Sequence, residues 1–299
     1  MEKLHVENGK LVNEKHEVVQ LKGISSHGLS WYPEYVNEDT IRFFKESYGM
    51  QLFRLAMYTA EEDGYCVGDD ENREKLKQVI RNGVEIATKL EMYVIIDWHI
   101  LSDGNPLTNM DMAKDFFAQM TAEFKDYDNV IYEICNEPNG SEWADVKKYA
   151  EEIIPVIRKN DKEAVILVGT PNWCQFLYEA EKAPVTIDDN LMYVLHFYAA
   201  THKEELRQIL KDAIAKKMPV FVSEFGICAA DGNGDLDYES ADAWIELMNE
   251  NQISYAMWNL ANRDESSSFI KADCSKLAFF EPQELNDSAK WYIDAVKRK

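Results

Sequence analysis

The chain has 299 residues, of which 46% are hydrophobic and 12% aromatic, a balance that excludes a disordered protein and a small domain held by disulfides. Lysine and arginine number 32 against 54 aspartates and glutamates, so the net charge is −22 at pH 7. A surface this acidic repels nucleic acid and anionic lipid, and no run approaches the roughly 18 to 20 apolar residues that span a bilayer. We therefore expect neither nucleic acid nor a membrane as a partner.

The five cysteines are widely spaced and form no Cys-x-x-Cys pair, which predicts buried thiols rather than a structural zinc site; one disulfide among them is the alternative. They are Cys66, Cys135, Cys174, Cys228 and Cys274. The first ten residues lack the apolar middle of a signal peptide. This predicts a soluble chain but leaves its compartment open.

Short apolar runs rich in valine, isoleucine and aromatic residues recur along the chain, with starts roughly 25 to 40 residues apart, an interval that fits one strand and one helix. Eight such runs cover residues 18–25, 51–58, 92–99, 130–137, 164–169, 191–198, 219–225 and 253–259. The segments between them carry apolar residues at helical spacing, such as Leu76, Ile80 and Val84. The pattern predicts strands that alternate with helices.

Eight such units predict an α/β protein, a (β/α)8 TIM barrel, which typically needs about 250 residues. A small N-terminal β-hairpin is expected through Asn8 and Gly9, and a terminal helix over the stripe from Leu285 to Val296. No linker interrupts the chain, so we predict a single domain over residues 1–299. A doubly wound open sheet is the alternative, but no G-x-G-x-x-G follows the first run.

Polar side chains stand at the carboxyl end of nearly every predicted strand, where the chemistry of such a barrel takes place. In chain order they are His27, Arg54, Tyr58, Asp97, His99, Asn136, Glu137, His196, Tyr198, Glu224 and Asn259, with Trp98, Trp173 and Trp258 beside them. Charged groups on apolar strands are costly unless they are paired or functional. Their accumulation at one rim therefore predicts an active site.

Glu137 and Glu224 stand at the carboxyl ends of the fourth and seventh predicted strands and should face each other across the barrel mouth. Two carboxylates on one cavity indicate glycoside hydrolysis; in a retaining enzyme they stand roughly 5 to 5.5 Å apart, and their proximity raises the pKa of the acid. The alternative is that each belongs to a buried ion pair, with Arg54 as the partner of Glu224. A cation there would also keep Glu224 ionised, as a nucleophile must be.

Seven segments occur in a fixed order along the whole chain. They are GISSHGLSWY (23–32), FRLAMYT (53–59), YVIIDWHILSD (93–103), VIYEICNEPNG (130–140), LHFYAATH (195–202), FVSEFG (221–226) and WNLANRDESS (258–267). Together they resemble glycoside hydrolase family 5, and within it the bacterial endoglucanases, or cellulases, of the second subfamily.

The resemblance implies that Glu137 is the acid/base and Glu224 the nucleophile, while Asn136 binds the 2-hydroxyl of the sugar. It also implies the surrounding site residues: Arg54 and Tyr198 beside the nucleophile, His196 and His99 around the two carboxylates, and His27 and Tyr58 at the substrate wall.

The same resemblance makes Trp258 the platform under the sugar whose bond is cleaved, and it places Trp31 and Trp173 along the glucan cleft. Flat indole rings suit the apolar faces of β-linked glucose. Arg263 stands where relatives commonly have lysine, and this puts fine substrate preference in doubt because a guanidinium binds differently from an ammonium. The remaining tryptophans on helical stripes are expected in the core.

The sequence thus predicts a retaining endo-1,4-β-glucanase that needs no metal and no organic cofactor, acts on β-glucan outside the cell and is by default a monomer, joined or not to a binding or anchoring module. Xyloglucan, mannan, xylan and mixed-linkage glucan remain alternative substrates. A metal-dependent hydrolase that uses His27, His99 and His196 as ligands is a rival, although no H-x-H or H-E-x-x-H is present. A carbohydrate-binding barrel without catalysis is the other.

Overall fold

The computed structural model describes residues 1–298, and eight parallel strands in it close into a barrel. An antiparallel hairpin of β1 (His5–Glu7) and β2 (Lys10–Val12) precedes them. The barrel strands are β3 (Lys22–Ser26), β4 (Leu52–Tyr58), β5 (Tyr93–His99), β6 (Val130–Glu133), β7 (Ile166–Val168), β8 (Leu191–Tyr198), β9 (Val220–Gly226) and β10 (Tyr255–Leu260). Each pairs with its neighbours in chain order, and β10 pairs with β3. The predicted TIM barrel and hairpin are confirmed.

Helices follow the strands and cover the outside of the barrel. They are α1 (Glu38–Tyr48), α2 (Asp70–Lys89), α3 (Met110–Phe124), α4 (Trp143–Asn160), α5 (Pro171–Cys174), α6 (Leu177–Lys182), α7 (Glu204–Ala215), α8 (Tyr238–Glu250) and α9 (Asp287–Ala295). The stripe of Leu76, Ile80 and Val84 is the buried face of α2. The terminal helix is shorter than predicted, because Leu285 lies before α9 and Val296 caps its end.

Three predicted strands are too long, those at 18–25, 130–137 and 164–169, and the last of them is a strand only over Ile166–Val168. Val18 and Val19 pair with the hairpin, because Val18 bridges to Val12 and Val19 donates its N–H to the Leu11 carbonyl; the Leu21 carbonyl accepts from Tyr255 of β10, and the barrel strand begins at Lys22. The run at 130–137 is a strand only as far as Glu133. Beyond it, the Asn136 and Glu137 N–H groups donate to the Trp98 and Ile100 carbonyls at the end of β5, and Glu137 lines the cavity at the barrel mouth.

The hairpin closes the end of the barrel opposite the carboxyl ends of its strands. Leu4, Leu11 and Leu21 are buried there and pack with inward-facing side chains such as Leu52 and Ile95. All five cysteines are free thiols, four of them buried, as predicted. Within residues 1–298, no helix combines the length and apolarity that a membrane crossing requires.

Gly9 lets the hairpin approach the loop after α7. Gly9 and Gly49 both have positive φ angles, 78° and 75°, but a Cβ on Gly9 would lie 2.4 Å from the Lys217 carbonyl oxygen, whereas one on Gly49 would meet nothing within 4 Å.

We expect Gly49→Ala to lower the free energy of unfolding by roughly 1–2 kcal/mol, the cost of the backbone conformation alone. Gly9→Ala should lose roughly 1–3 kcal/mol more through the clash. Equal losses in urea titrations of the two variants would contradict this close packing.

Candidate active site

The carboxyl ends of the strands surround an open cavity of about 350 Å³, and most of the predicted site residues line it. These are His27, Trp31, Tyr58, His99, Glu137, Tyr198, Glu224, Trp258 and Arg263. A second cavity of about 310 Å³ adjoins the first, shares Glu137 and Tyr198 with it, and adds Trp173 and His196. Arg54 and Asn136 are fully buried beneath the cavity floor. The fold therefore gathers all the predicted site residues at one end of the barrel.

Arg54 on β4 is a buried cation among three buried carboxylates. Its Nη1 lies 3.0 Å from Glu224 Oε2, its Nε 2.8 Å from Glu133 Oε2 and its Nη2 2.9 Å from Asp97 Oδ2. Nη2 also donates to Asn136 Oδ1 at 2.6 Å. Burial alone would lower the pKa of Arg54, but the three negative charges raise it well above its ordinary value. The predicted ion pair between Arg54 and Glu224 is part of this larger network.

Both carboxylate oxygens of Glu224 are held by donors. Arg54 binds Oε2, and the Tyr198 hydroxyl donates to Oε1 at 2.8 Å. The side chain is 6% exposed, at the cavity wall. A nearby cation and two donated hydrogen bonds stabilise the charged form of a carboxylate and fix its direction. This environment suits a nucleophile.

Glu137 has a contrasting environment, with a neutral imidazole as its partner. His196 Nδ1 lies 3.0 Å from Glu137 Oε1. Burial raises the pKa of Glu137 to about 8; Arg54 opposes the rise, while Asp97 and Glu133 add to it. The raised pKa agrees with the sequence analysis, but burial is its main cause, not proximity to Glu224. This environment suits an acid that must hold its proton near neutral pH.

The two glutamates face each other closely. One oxygen of Glu137, one of Glu224 and a ring nitrogen of His196 all lie within 4.8 Å of one another. In retaining glycosidases the two carboxyl groups are roughly 5–5.5 Å apart, whereas inverting enzymes need roughly 6.5–9.5 Å to admit a water. The separation therefore fits the retaining geometry.

The three histidines of the site are neutral hydrogen-bonding groups. Burial lowers the pKa of His27 to about 3 and of His196 to about 4, and it holds the pKa of His99 well below its usual range. His99 Nδ1 lies 2.5 Å from Asp97 Oδ2. In the part of the chain that the structure describes, His27 and His99 join no group of metal-ligating atoms, so the ligand set of the rival metallohydrolase is not assembled.

Aromatic side chains form the walls of the cavity. Trp258 stacks on His99 with ring centroids 5.3 Å apart, and Trp31 lies 4.7 Å from Tyr58. Trp173 is the most open, with 45% of its surface exposed. Its backbone N–H donates to the Pro138 carbonyl, which ties it to the loop that carries Glu137. Of the three tryptophans expected in the core, Trp143 and Trp244 are buried, whereas Trp291 packs against the core only in part and donates its indole N–H to Asp242.

Three residues that the sequence analysis did not single out complete the site. Glu133 on β6 and Ser223 on β9 are fully buried next to the predicted residues, and Glu265 holds Arg263 at the cavity edge with a 2.9 Å contact. A charged residue inside the apolar run 130–137 was the available signal for Glu133. A serine in a strand gives no comparable signal.

Comparisons with known proteins identify the family of this chain. Residues 12–264 match the cellulase family, glycosyl hydrolase family 5. Endoglucanase A of Butyrivibrio fibrisolvens is 48% identical over 99% of this chain and 69% of its own length, and endoglucanase A of Evansella cellulosilytica is 44% identical over 93% and 56%. The chain thus spans only part of these relatives. The catalytic domain of Thermobifida fusca endoglucanase CEL5A, a variant in complex with cellotetraose, superposes with a TM-score of 0.92 at 34% identity, over 99% of this chain and 97% of that one.

The raised pKa of Glu137 makes a prediction about stability. Between the ordinary value of 4.5 and about 8, the folded chain keeps a proton on Glu137 that the unfolded chain has lost. The folded state is therefore penalised as pH rises through this window, by up to about 1.4 kcal/mol for each pH unit. Glu137→Gln removes the titration. The free energy of unfolding of this variant minus that of the wild type should therefore increase from pH 4.5 to about 8 and stay constant above pH 8.

Urea titrations across this pH range provide the measurement. Glu163→Gln, at a carboxylate that is 74% exposed on the opposite side of the barrel, is the control and should follow the wild type at every pH. A constant difference between Glu137→Gln and the wild type would contradict the raised pKa.

Proposed function

The chain belongs to the cellulase family, glycosyl hydrolase family 5; we propose that it is an endo-β-1,4-glucanase that works by double displacement, with Glu224 as nucleophile and Glu137 as acid/base. One observation carries the assignment of roles. Glu224 receives hydrogen bonds from Arg54 and Tyr198, whereas burial raises the pKa of Glu137 to about 8. Two identical side chains are thereby prepared for opposite tasks.

In the first step the Glu137 proton moves to the glycosidic oxygen as its bond to the anomeric carbon breaks, and Glu224 Oε attacks that carbon from the other face. The product is a glycosyl ester on Glu224 and a carboxylate on Glu137. In the second step Glu137 takes a proton from water, the resulting hydroxyl attacks the same carbon, and the ester bond breaks. Both residues return to their starting states, and the anomeric configuration is retained.

The other predicted residues bind the sugar next to these two. Asn136 donates one amide hydrogen to the Ile100 carbonyl, so its second amide hydrogen remains for the sugar 2-hydroxyl. Trp258 offers an indole face beside Glu224, with Trp31, Tyr58 and His27 along the same wall. Such faces pack on the apolar side of β-glucose, and neutral histidines supply hydrogen bonds to hydroxyl groups.

Internal cleavage is supported by the shape of the cleft. The two cavities meet at Glu137 and Tyr198, so a glucan chain lying across both would present a bond in its middle to the two glutamates. The cellotetraose bound by the Thermobifida fusca domain agrees with a β-glucan substrate.

Because polymeric glucan cannot enter a cell, we further propose that the protein acts outside it, as a monomer with one catalytic domain over residues 1–299.

Azide tests the two catalytic roles separately. With an aryl β-cellobioside whose leaving group needs no acid, Glu137→Ala should accumulate the glycosyl ester, and azide should release it as the β-glycosyl azide. In Glu224→Gly azide should replace the missing carboxylate and give the α-glycosyl azide. Without azide, Glu224→Gly should lose roughly 10⁴-fold or more in turnover because it lacks the nucleophile, whereas Glu137→Ala should lose roughly 10²–10⁴-fold because only the hydrolysis of the ester lacks its base. Glu163→Ala controls for the loss of a distant carboxylate. Exchanged azide products, or none, would overturn the assignment.

Viscosity and reducing ends, measured together, test the substrate. On carboxymethyl cellulose we expect viscosity to fall long before reducing ends accumulate, because internal cuts shorten the polymer most. The first product anomer seen by NMR should be β. If mannan, xylan, xyloglucan or mixed-linkage glucan is hydrolysed faster than cellulose, that polysaccharide replaces cellulose as the proposed substrate. A first product in the α configuration would exclude a retaining mechanism.

A further inference from the structure

A line of buried hydrogen bonds leads from Glu137 into the core and returns to Glu224. His196 Nδ1 is 3.0 Å from Glu137 Oε1, and His196 Nε2 is 2.9 Å from Ser223 Oγ. The Ser223 hydroxyl is 2.6 Å from Glu133 Oε1, and Arg54 donates from Nε to Glu133 Oε2 and from Nη1 to Glu224 Oε2. His196, Ser223, Glu133 and Arg54 are at most 1% exposed. The two catalytic carboxylates are thus joined through Ser223 and Glu133, which nothing above assigns a role.

The donors and acceptors along this line fix where each hydrogen lies. Burial raises the pKa of Glu133, but the Arg54 Nε–H donates to Glu133 Oε2 at 2.8 Å and favours its charged form. A carboxylate only accepts, so the Ser223 hydroxyl donates to Glu133 Oε1. Ser223 has no second hydrogen, so its oxygen accepts from His196 Nε2. Neutral imidazole carries one hydrogen, which leaves a lone pair on Nδ1. That lone pair can only accept, and Glu137 Oε1 is the atom that faces it.

We propose that Ser223 and Glu133 are positioning residues that lock His196 in its Nε2–H tautomer and thereby hold the proton on Glu137 until a glycosidic oxygen arrives. After that proton has left, the same lone pair faces a carboxylate. This contact is repulsive, so it favours recapture of a proton from the water that hydrolyses the ester. The proposal rests on the role of Glu137 proposed above, but its central statement concerns a tautomer that can be observed without turnover.

Ring nitrogen shifts in the resting protein test the tautomer directly. In the full chain labelled with ¹⁵N-histidine, the His196 signals, assigned by their absence in His196→Asn, should show a protonated Nε2 and an unprotonated Nδ1 at neutral pH. A protonated Nδ1 would mean that the line runs in the opposite direction, with the proton on Glu133, and would overturn the proposal. This readout also distinguishes the two proposals. A chain without hydrolase activity but with the Nε2–H tautomer would refute only the function.

Ser223→Ala tests the consequence for catalysis. Without the hydroxyl, His196 is free to donate from Nδ1 to an ionised Glu137, so the alkaline limb of the kcat/KM profile should move to lower pH by about one unit, a tenfold change in proton affinity. KM at the pH optimum should stay within about twofold, since Ser223 does not line the cavity. Ser223→Thr keeps the hydroxyl and should restore the limb.

The matched control is Ser25→Ala. Ser25 is equally buried and accepts from Arg54 Nη1 at 3.3 Å, but it does not touch His196. We expect its alkaline limb to coincide with that of the wild type. Equal shifts in Ser25→Ala and Ser223→Ala would reveal a general loss of packing, and no shift in Ser223→Ala would show that the serine does not set the proton; either result overturns the proposal.

A second and independent cluster lies at the other end of the barrel, in the hairpin. His5 and Glu7 are two residues apart in β1 and therefore lie on the same face of the strand, and His16 follows β2 with a positive φ of 61°. Glu7 Oε2 is 2.8 Å from His16 Nδ1 and 3.9 Å from His5 Nε2, and ligand atoms of all three residues lie within 4.8 Å of one another. Tetrahedral zinc with bonds of about 2.0–2.1 Å sets its ligand atoms about 3.4 Å apart. The two distances from Glu7 Oε2, 2.8 Å to His16 and 3.9 Å to His5, lie on either side of this ligand spacing.

We infer that these three residues form a Zn²⁺ site, with water as the fourth ligand, that ties β1 to the turn after β2. Zn²⁺ binding should raise the melting temperature of the whole chain, because an ion that binds only the folded hairpin stabilises it. The test uses Glu137→Gln and its combination with His5→Gln and His16→Gln, so that the catalytic carboxylate is altered in both proteins. Calorimetric titration with Zn²⁺ should show one more zinc site in Glu137→Gln alone than in the protein that also carries His5→Gln and His16→Gln. Equal zinc uptake and equal melting shifts would overturn the inference.

Discussion

The buried guanidinium of Arg54 is the contact on which the rest of the site depends. It is the cation that offsets Asp97, Glu133 and Glu224 in an interior where an uncompensated charge costs several kcal/mol. Its fork reaches side chains from three other strands at once, through three different nitrogens. An ammonium, which is a single point of charge, could not direct separate bonds in this way. The barrel mouth is thus organised from below, by a residue that does not line the cavity.

The polar layer at the mouth begins abruptly. In the register of β5 and β6, Ile95 pairs with Ile131, and two residues further along each strand Asp97 pairs with Glu133. The apolar layer below joins the side chains of the hairpin, so the charged layer has packed hydrocarbon beneath it and the cleft above it. This position explains why burial dominates the pKa of Glu137. Electrostatic contacts are stronger in such a dry interior than at a surface, and the cost is borne by stability.

The sequence was sufficient for the barrel and for the residues at its rim. Eight apolar runs at regular intervals predicted the strands, and Glu137 and Glu224 were recognisable because each ends a run. Strand ends were less accurate, since an apolar run does not tell which neighbour its backbone pairs with, and Val18 and Val19 pair with the hairpin instead of the barrel. Ser223 could not have been predicted, because its importance depends on the direction of three hydrogen bonds and not on residue type.

The difference between Glu137 and Glu224 follows from their neighbours in three dimensions. Both are glutamates at the mouth of one barrel, and a sequence motif alone describes each as a carboxylate. Burial is the main cause of the raised pKa of Glu137, and the hydrogen bonds add to the distinction: Arg54 binds Glu224 directly but is joined to Glu137 only through Glu133, Ser223 and His196. A direct cation stabilises the charged form, whereas the indirect route ends in a lone pair that stabilises the protonated form. In the proposed mechanism one arginine therefore supports a nucleophile and an acid at the same time, because it contacts the first directly and the second only through other side chains.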